Sequence, residues 1–225
     1  MQFNISVSAA PLRERVVDVL RQAITECHFE PGGRLVEREL CDLMSVSRGS
    51  VREALRQLES EGLVTLIPNI GPVVTSLSPD EARTIYEVRA VMEGLAAKLF
   101  TMNANEQTMK RLVKTVDRIR ETIAAHDEKG MLNAKSRFYD ILAEGCGNPV
   151  ASEQLRLLRA RVTLLRGVTL SQRERVAESF MEVEAMLDAI RSRDPDKAWS
   201  SAVAHIDKCA EAAIQALHLA NASVT

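Results

Sequence analysis

The sequence predicts a mainly α-helical chain with one short β-hairpin, arranged as two domains. Three observations carry this. Apolar residues recur at helical spacing over most of the 225 residues, two β-branched runs (64–67 and 71–75) interrupt that period, and a strong helix start follows them at Ser78. The expected division is residues 1–76 and 77–225. With 46% hydrophobic residues the chain has ample material for packed cores.

Residues 1–10 carry no strong pattern and are expected to fray. Pro11 suits a first helical turn, and Val16, Val19, Leu20, Ala23 and Ile24 then repeat at helical spacing up to Cys27. Phe29 is expected to anchor the turn at Glu30-Pro31-Gly32-Gly33. Leu35, Leu40, Leu43 and Met44 give a short helix one apolar face, and Val51, Leu55 and Leu58 give a second helix its own. Ser45-Val46-Ser47 separates the two. Ser47 suits the N-cap because its hydroxyl satisfies an orphan amide, and Gly62 stands where a left-handed C-terminal cap is wanted, so the second helix is expected from Arg48 to Glu61. Pro68-Asn69-Ile70 joins the two β-branched runs into a hairpin.

On the other face of the second helix, Arg48, Arg52 and Arg56 fall at i, i+4, i+8, within about 80° of arc. Gly49 and Ser50 are small enough to let a partner approach the backbone. Helix, turn, helix and hairpin in this order describe an N-terminal winged helix-turn-helix. Its second helix enters a major groove by its N-terminal end, and its arginines reach phosphates and the N7/O6 edge of guanine. The plain alternative is an ordinary solvated arginine face. Element order, both caps and an acid-free stripe occur together, which favours the DNA reading.

The run PGGRLVERELCDLMSVSRGSVREALRQLESEGLV resembles the winged helix-turn-helix signature of GntR-type bacterial transcription regulators, over about 65 residues. The resemblance implies DNA contacts from Arg34, Arg48, Arg52 and Gly71, and the spacing adds Gly49, Ser50 and Asn69 as candidates. Two positions depart from the family pattern: Gly49 stands where threonine is usual, and Ile70 stands where the wing often carries a basic residue. The charge is unusual for a DNA-binding head. Residues 1–76 contain eight arginines, no lysine and ten acids, a net −2 equal to that of the whole chain. Attraction must come from the local stripe, with Glu14, Asp18, Glu26 and Glu30 kept away from the duplex.

The second domain begins with a capping box at Ser78-Pro79-Asp80-Glu81. Ile85, Val88, Val91, Met92, Leu95 and Leu99 line its first helix. The second begins near Asn105 and carries Met109, Leu112, Val116, Ile119 and Ile123, with Lys129-Gly130 as its breaker. A third covers Leu132 to Glu144 before Gly145-Cys146-Gly147-Asn148-Pro149, and a fourth carries Leu155, Leu158, Val162 and Leu165. Ser171 and Glu174 form another capping box ahead of Val176, Phe180, Val183, Met186, Leu187 and Ile190. Asp194-Pro195 caps the last helix, with Trp199, Val203, Ile206 and Ile214. The expectation is an antiparallel bundle of about six helices.

The segments Tyr86 to Glu93, Arg137 to Pro149 and Leu187 to Asp194 resemble, in joint order, the FCD effector-binding domain of FadR-type regulators. The helix count leans to their VanR-like subgroup. Many FCD domains hold a divalent metal with one aspartate and three histidines, and the resemblance places these ligands on Lys135, Tyr139, Val183 and His205. Lysine and valine do not serve such an ion, so no metal and no other cofactor is expected. Lys135 and Tyr139 share a helix face, so an ammonium is expected where the ion would sit. Arg89 adds a forked donor, and a small organic acid effector is expected on Arg89, Lys135, Tyr139 and His205. The alternative is a vestigial pocket in which Lys135 reaches solvent.

Enzyme motifs are missing: the sequence contains no Gly-rich phosphate loop, GxSxG or HExxH. His28, His126, His205 and His218 are scattered without acid or cysteine partners at useful spacing. Cys27, Cys41, Cys146 and Cys209 have no CxxC spacing and no histidine pairs nearby, and they read as reduced thiols. No apolar run reaches the roughly 18 residues of a membrane span, and the N-terminus lacks a signal-peptide pattern, so a cytoplasmic protein is expected. The expected function is a regulator, a repressor relieved by ligand, that binds double-stranded DNA with an inverted-repeat operator as a homodimer. The alternative is a ligand-independent DNA-binding protein with an inert dimerisation bundle.

Overall fold

The computed structural model describes residues 10–165 and 173–222. Its order is α1 (Ala10–Thr25), α2 (Glu37–Met44), α3 (Arg48–Ser60), β1 (Val64–Ile67), β2 (Gly71–Val74), α4 (Pro79–Asn103), α5 (Glu106–Ala124), α6 (Glu128–Gly145), α7 (Pro149–Thr163), α8 (Arg173–Arg191) and α9 (Pro195–Ala222). The described residues form two compact units, one of residues 10–77 with 160–165 and one of residues 78–159 with 173–222. The fold is mainly α, with a two-stranded sheet after the helix-turn-helix.

In the first unit, α2 ends on Ser45 in the left-handed region, and Ser47 then caps α3 by accepting from the Ser50 amide at 3.2 Å. Past the other end of α3, Gly62 has φ +75°, the left-handed cap expected of glycine there. β1 and β2 pair antiparallel, with Val64 opposite Val74 and Ile67 opposite Gly71. The Ile67 carbonyl accepts from the Ile70 amide across Pro68 and Asn69, and Asn69 takes φ +65°, as position i+2 of a type II turn requires. Arg34 bridges to Val73 and the Leu35 amide donates to Pro72, which ties the start of the motif to the wing.

Two expected core positions are solvent-facing instead. Val19 is 53% exposed and Leu43 75% exposed, while Val17 is buried. The apolar arc of α1 is turned by one residue because Val16, Val17, Leu20 and Ile24 together meet α3.

The second unit contains six helices among the described residues. Ser78 and Glu81 close the expected capping box reciprocally, Asn105 caps α5, and Asp194 caps α9 through the Lys197 amide. Gly130 does not break a helix. The break comes earlier, at His126 with φ +54°, and Asp127 then caps α6 through the Gly130 amide. A Cβ at residue 130 would collide with that cap carboxylate. Ser171, the N-cap of the capping box expected with Glu174, lies outside the described residues. Phe100, Leu112, Ile119, Phe138, Ile141 and Ile190 centre the core.

Helix α4 departs from expectation in which face it buries. Val88 and Val91 are 54% and 55% exposed, whereas Arg89 and Glu93 are buried. The reason lies in α9, which packs along α4. A Cβ on Gly94 would stand 2.9 Å from Val203 and 3.1 Å from Trp199, so α9 takes the small-residue face and turns the valines outward.

Candidate nucleic-acid interface and a buried polar cluster

In the first unit, Arg34, Arg48, Ile70, Gly71 and Pro72 line one concavity of about 360 Å³ together with the start of α2. The start of the motif, the N-terminus of α3 and the wing tip therefore share one surface. Arg34, Arg48, Gly49, Arg52 and Asn69 are exposed, and Ser50 and Gly71 half so. The N-terminus of α3 adds the positive end of the helix dipole, which suits a phosphate. Gly49 meets nothing nearer than the Ser47 hydroxyl, 3.7 Å from a Cβ built there, so the surface beside Arg48 is open. Acids are not absent from this face: Glu37 accepts from Arg52 Nε at 2.9 and 3.0 Å, and Glu53 pairs with Arg56 at 3.2 Å. The buried acid Glu61 is taken up by Arg21 of α1.

In the second unit, Arg89, Tyr139 and His205 converge with partners that sequence reasoning missed. Arg159 of α7 forks the Glu93 carboxylate with two 2.9 Å bonds, and Arg89 reaches the same carboxylate at 3.4 Å. Both guanidinium groups lie 5.1 Å from the Tyr139 ring centroid. The Tyr139 hydroxyl lies 2.7 Å from His205 Nε2, and His205 Nδ1 lies 2.6 Å from Glu182. Arg175 forks Glu182 at 2.7 and 3.1 Å. Lys135 donates to Ser179 at 2.9 Å, and among the described residues it has no hydrogen bond to Tyr139, His205 or Glu182. Contrary to the sequence expectation, His205 has both an acid and a cysteine partner: Glu182 pairs with it across 23 residues, and Cys209, at i+4 on its own helix, lies 3.7 Å away. The i, i+4 spacing of His205 and Cys209 was the signal available in the sequence.

Protonation follows from this wiring. Burial raises the Tyr139 hydroxyl above its ordinary range and pushes Tyr86 up to about 12. Burial opposes ionisation of Glu93 and Glu182, yet Arg159 and Arg89 hold Glu93 low, and His205 with Arg175 bring Glu182 to about 2. Burial by itself lowers His205, but Cys209 and Glu182 outweigh it and the net shift is upward. Burial lowers Lys135, which has the neutral Ser179 as its hydrogen-bond partner.

These residues do not fit a divalent metal. Lys135 carries no lone pair while charged, Val183 sits in the apolar core, and Tyr139 is hydrogen-bonded to the one remaining imidazole. Among the described residues, no group of three or more His, Cys, Asp or Glu side chains is placed to hold an ion.

Residues 12–74 match the bacterial regulatory proteins of the gntR family, and residues 84–208 match the FCD domain. The chain belongs to the GntR family. It is a transcriptional regulator with a DNA-binding helix-turn-helix and an FCD domain, and not an enzyme. Among its GntR relatives is the HTH-type transcriptional repressor NanR of Cronobacter sakazakii, 28% identical, with 87% of this chain and 83% of the relative covered. The fold is shared with E. coli McbR/YncC at 18% identity and TM-score 0.81, covering 94% of this chain and 99% of that one. It is shared also with a putative GntR regulator from Rhodococcus sp. RHA1, at 24% identity and TM-score 0.78, covering 90% and 97%. No helix among the described residues is long and apolar enough to cross a membrane.

Proposed function

We propose that this GntR regulator represses transcription from an inverted-repeat operator as a two-fold dimer, and that a small organic anion in the bundle relieves repression without a metal or other cofactor. The anion would be held by Arg89, Lys135, Tyr139 and His205. The observation that carries the effector reading is the incomplete pairing of the buried Arg89 and the half-buried Lys135. Arg159 already takes the Glu93 fork, which leaves Arg89 a long 3.4 Å bond, and the Lys135 ammonium has a neutral partner. A cation taken out of water without a full counter-charge favours an anion beside it. Carboxylates are the preferred class, since guanidinium matches their two oxygens. The relative named as a repressor supports the direction of control.

The dimer reading rests on Val88 and Val91, two exposed valines one turn apart on α4, with Leu95 half-buried in line after them. A second copy covering this stripe pairs two chains, and an inverted repeat with two half-sites demands two DNA-binding heads. Light scattering of the double variant Val88→Asp, Val91→Asp tests it: the mass should fall to that of one chain.

Calorimetric titration of small carboxylates and sugar acids into the full-length protein tests the effector reading. Lys135→Ala and Arg89→Ala should each weaken binding about 10-fold or more, the scale of a lost charged hydrogen bond. Unchanged affinity in Lys135→Ala removes that residue from the site. One observation favours the second reading, an inert bundle: Arg89, Lys135, Tyr139 and His205 all have partners within the protein. That reading predicts no carboxylate that raises the melting temperature.

A further inference from the structure

The bundle also contains a nucleophile that anion binding does not use. Cys209 follows His205 by one turn of α9, and its Sγ lies 3.7 Å from His205 Nε2 and 3.7 Å from Arg175 Nη2. His205 turns its other nitrogen to Glu182 at 2.6 Å. Sulfur, imidazole and carboxylate therefore stand in the order nucleophile, base and orienting acid, with a guanidinium beside the sulfur. That is the environment in which a thiol is converted to a thiolate.

The charges facing Cys209 from the neighbouring helices point the same way. Arg89 from α4 and Lys135 from α6 add positive charge, while the Glu93 and Glu182 carboxylates are forked by Arg159 of α7 and Arg175 of α8. Tyr86 and Tyr139 stay neutral, and Lys208 on α9 itself lies 3.2 Å from Glu182. Burial opposes ionisation of Cys209, but His205, Arg89 and Arg175 together bring its thiol down to about 7. Cys209 is half-buried as a residue, whereas Cys146 is buried.

We propose that Cys209 is a modification site, a thiolate that a hydroperoxide oxidises to sulfenic acid. The thiol proton passes to His205. The sulfur lone pair then attacks one peroxide oxygen, and the S–O bond forms as the O–O bond breaks. With hydrogen peroxide the departing hydroxide takes the proton from His205 and leaves as water, so sulfur loses two electrons and the peroxide gains them. The step requires no organic acid, and its failure would leave the effector reading intact.

The test treats the reduced full-length protein with hydrogen peroxide at pH 7, traps sulfenic acid with dimedone, and reads each cysteine by peptide mass spectrometry. Exposed Cys27 is the internal control. Cys209 should trap about tenfold faster than Cys27, and its alkylation by iodoacetamide should have a midpoint near pH 7 rather than at the ordinary thiol value of about 8.5. His205→Gln and Arg175→Gln should each slow Cys209 and move the midpoint up while Cys27 is unchanged. Circular dichroism checks their folding, and if the histidine variant unfolds, the arginine variant decides. Trapping at Cys209 no faster than at Cys27, or a midpoint near the ordinary value, overturns the proposal.

Discussion

Arg48 and Arg52 are one helical turn apart but not equally free. Arg52 is engaged by Glu37, whereas Arg48 has no ion pair among the described residues. Arg48→Ala should therefore remove a preformed contact and weaken operator binding by about 1–3 kcal/mol per head in a gel-shift titration. Glu37→Gln should act oppositely, about two- to tenfold tighter, because it releases Arg52 and removes an acid from the face that meets phosphate. An unchanged or weaker complex in Glu37→Gln would mean that Glu37 orients Arg52 for the duplex. In the bundle, the buried Glu93 carboxylate lies beneath two guanidinium groups. Glu93→Ala leaves both charges buried without it and should cost about 3–5 kcal/mol in urea unfolding.

At the level of elements, α4 is held from its start and from its middle. Ser78 and Glu81 satisfy each other's backbone amides, and Ser78→Ala should lower stability by about 1 kcal/mol, the usual value of an N-cap. Gly94 lets α9 close on α4, and Gly94→Ala forces Val203 and Trp199 to move, at a cost of about 1–3 kcal/mol. Gly49 is the opposite case. It lies at the open start of α3, so Gly49→Ala should raise stability by about 0.5–1 kcal/mol while leaving the head folded. A fall in operator affinity in that more stable variant would identify close backbone approach as the role of Gly49.

For the whole molecule, a net charge of −2 leaves operator binding dependent on a few arginines. Three phosphate-facing arginines on each of two heads give a slope of log affinity against log salt near −5, and Arg48→Ala should reduce it by about two. Acid stability should follow Glu182. Its pKa is about 2 in the fold against roughly 4.3 in an unfolded chain, so its contribution is complete above about pH 4.5 and is lost as pH falls through about 2. His205, raised in the fold, contributes most below about pH 6.5 and loses that contribution as pH rises past its folded value. Melting temperatures should drop between pH 4.5 and 2, and Glu182→Gln should flatten that limb.

Where a feature depends on residues a few positions apart, the sequence by itself determined it: the Ser47, Ser78 and Asp194 caps, the left-handed Gly62, the hairpin across Pro68-Asn69, and the arginines of α3. Caps and helical period act within one or two turns, so adjacent residue types are enough to specify them. Only the tertiary structure decided which face of α4 is buried, because that depends on the shape α9 presents to Gly94. The same holds for the polar cluster: Glu93 meets Arg159, and Tyr139 meets His205, across 66 residues in each case. A buried charge survives only where another helix delivers its counter-charge, and no spacing along the chain records which helix that will be.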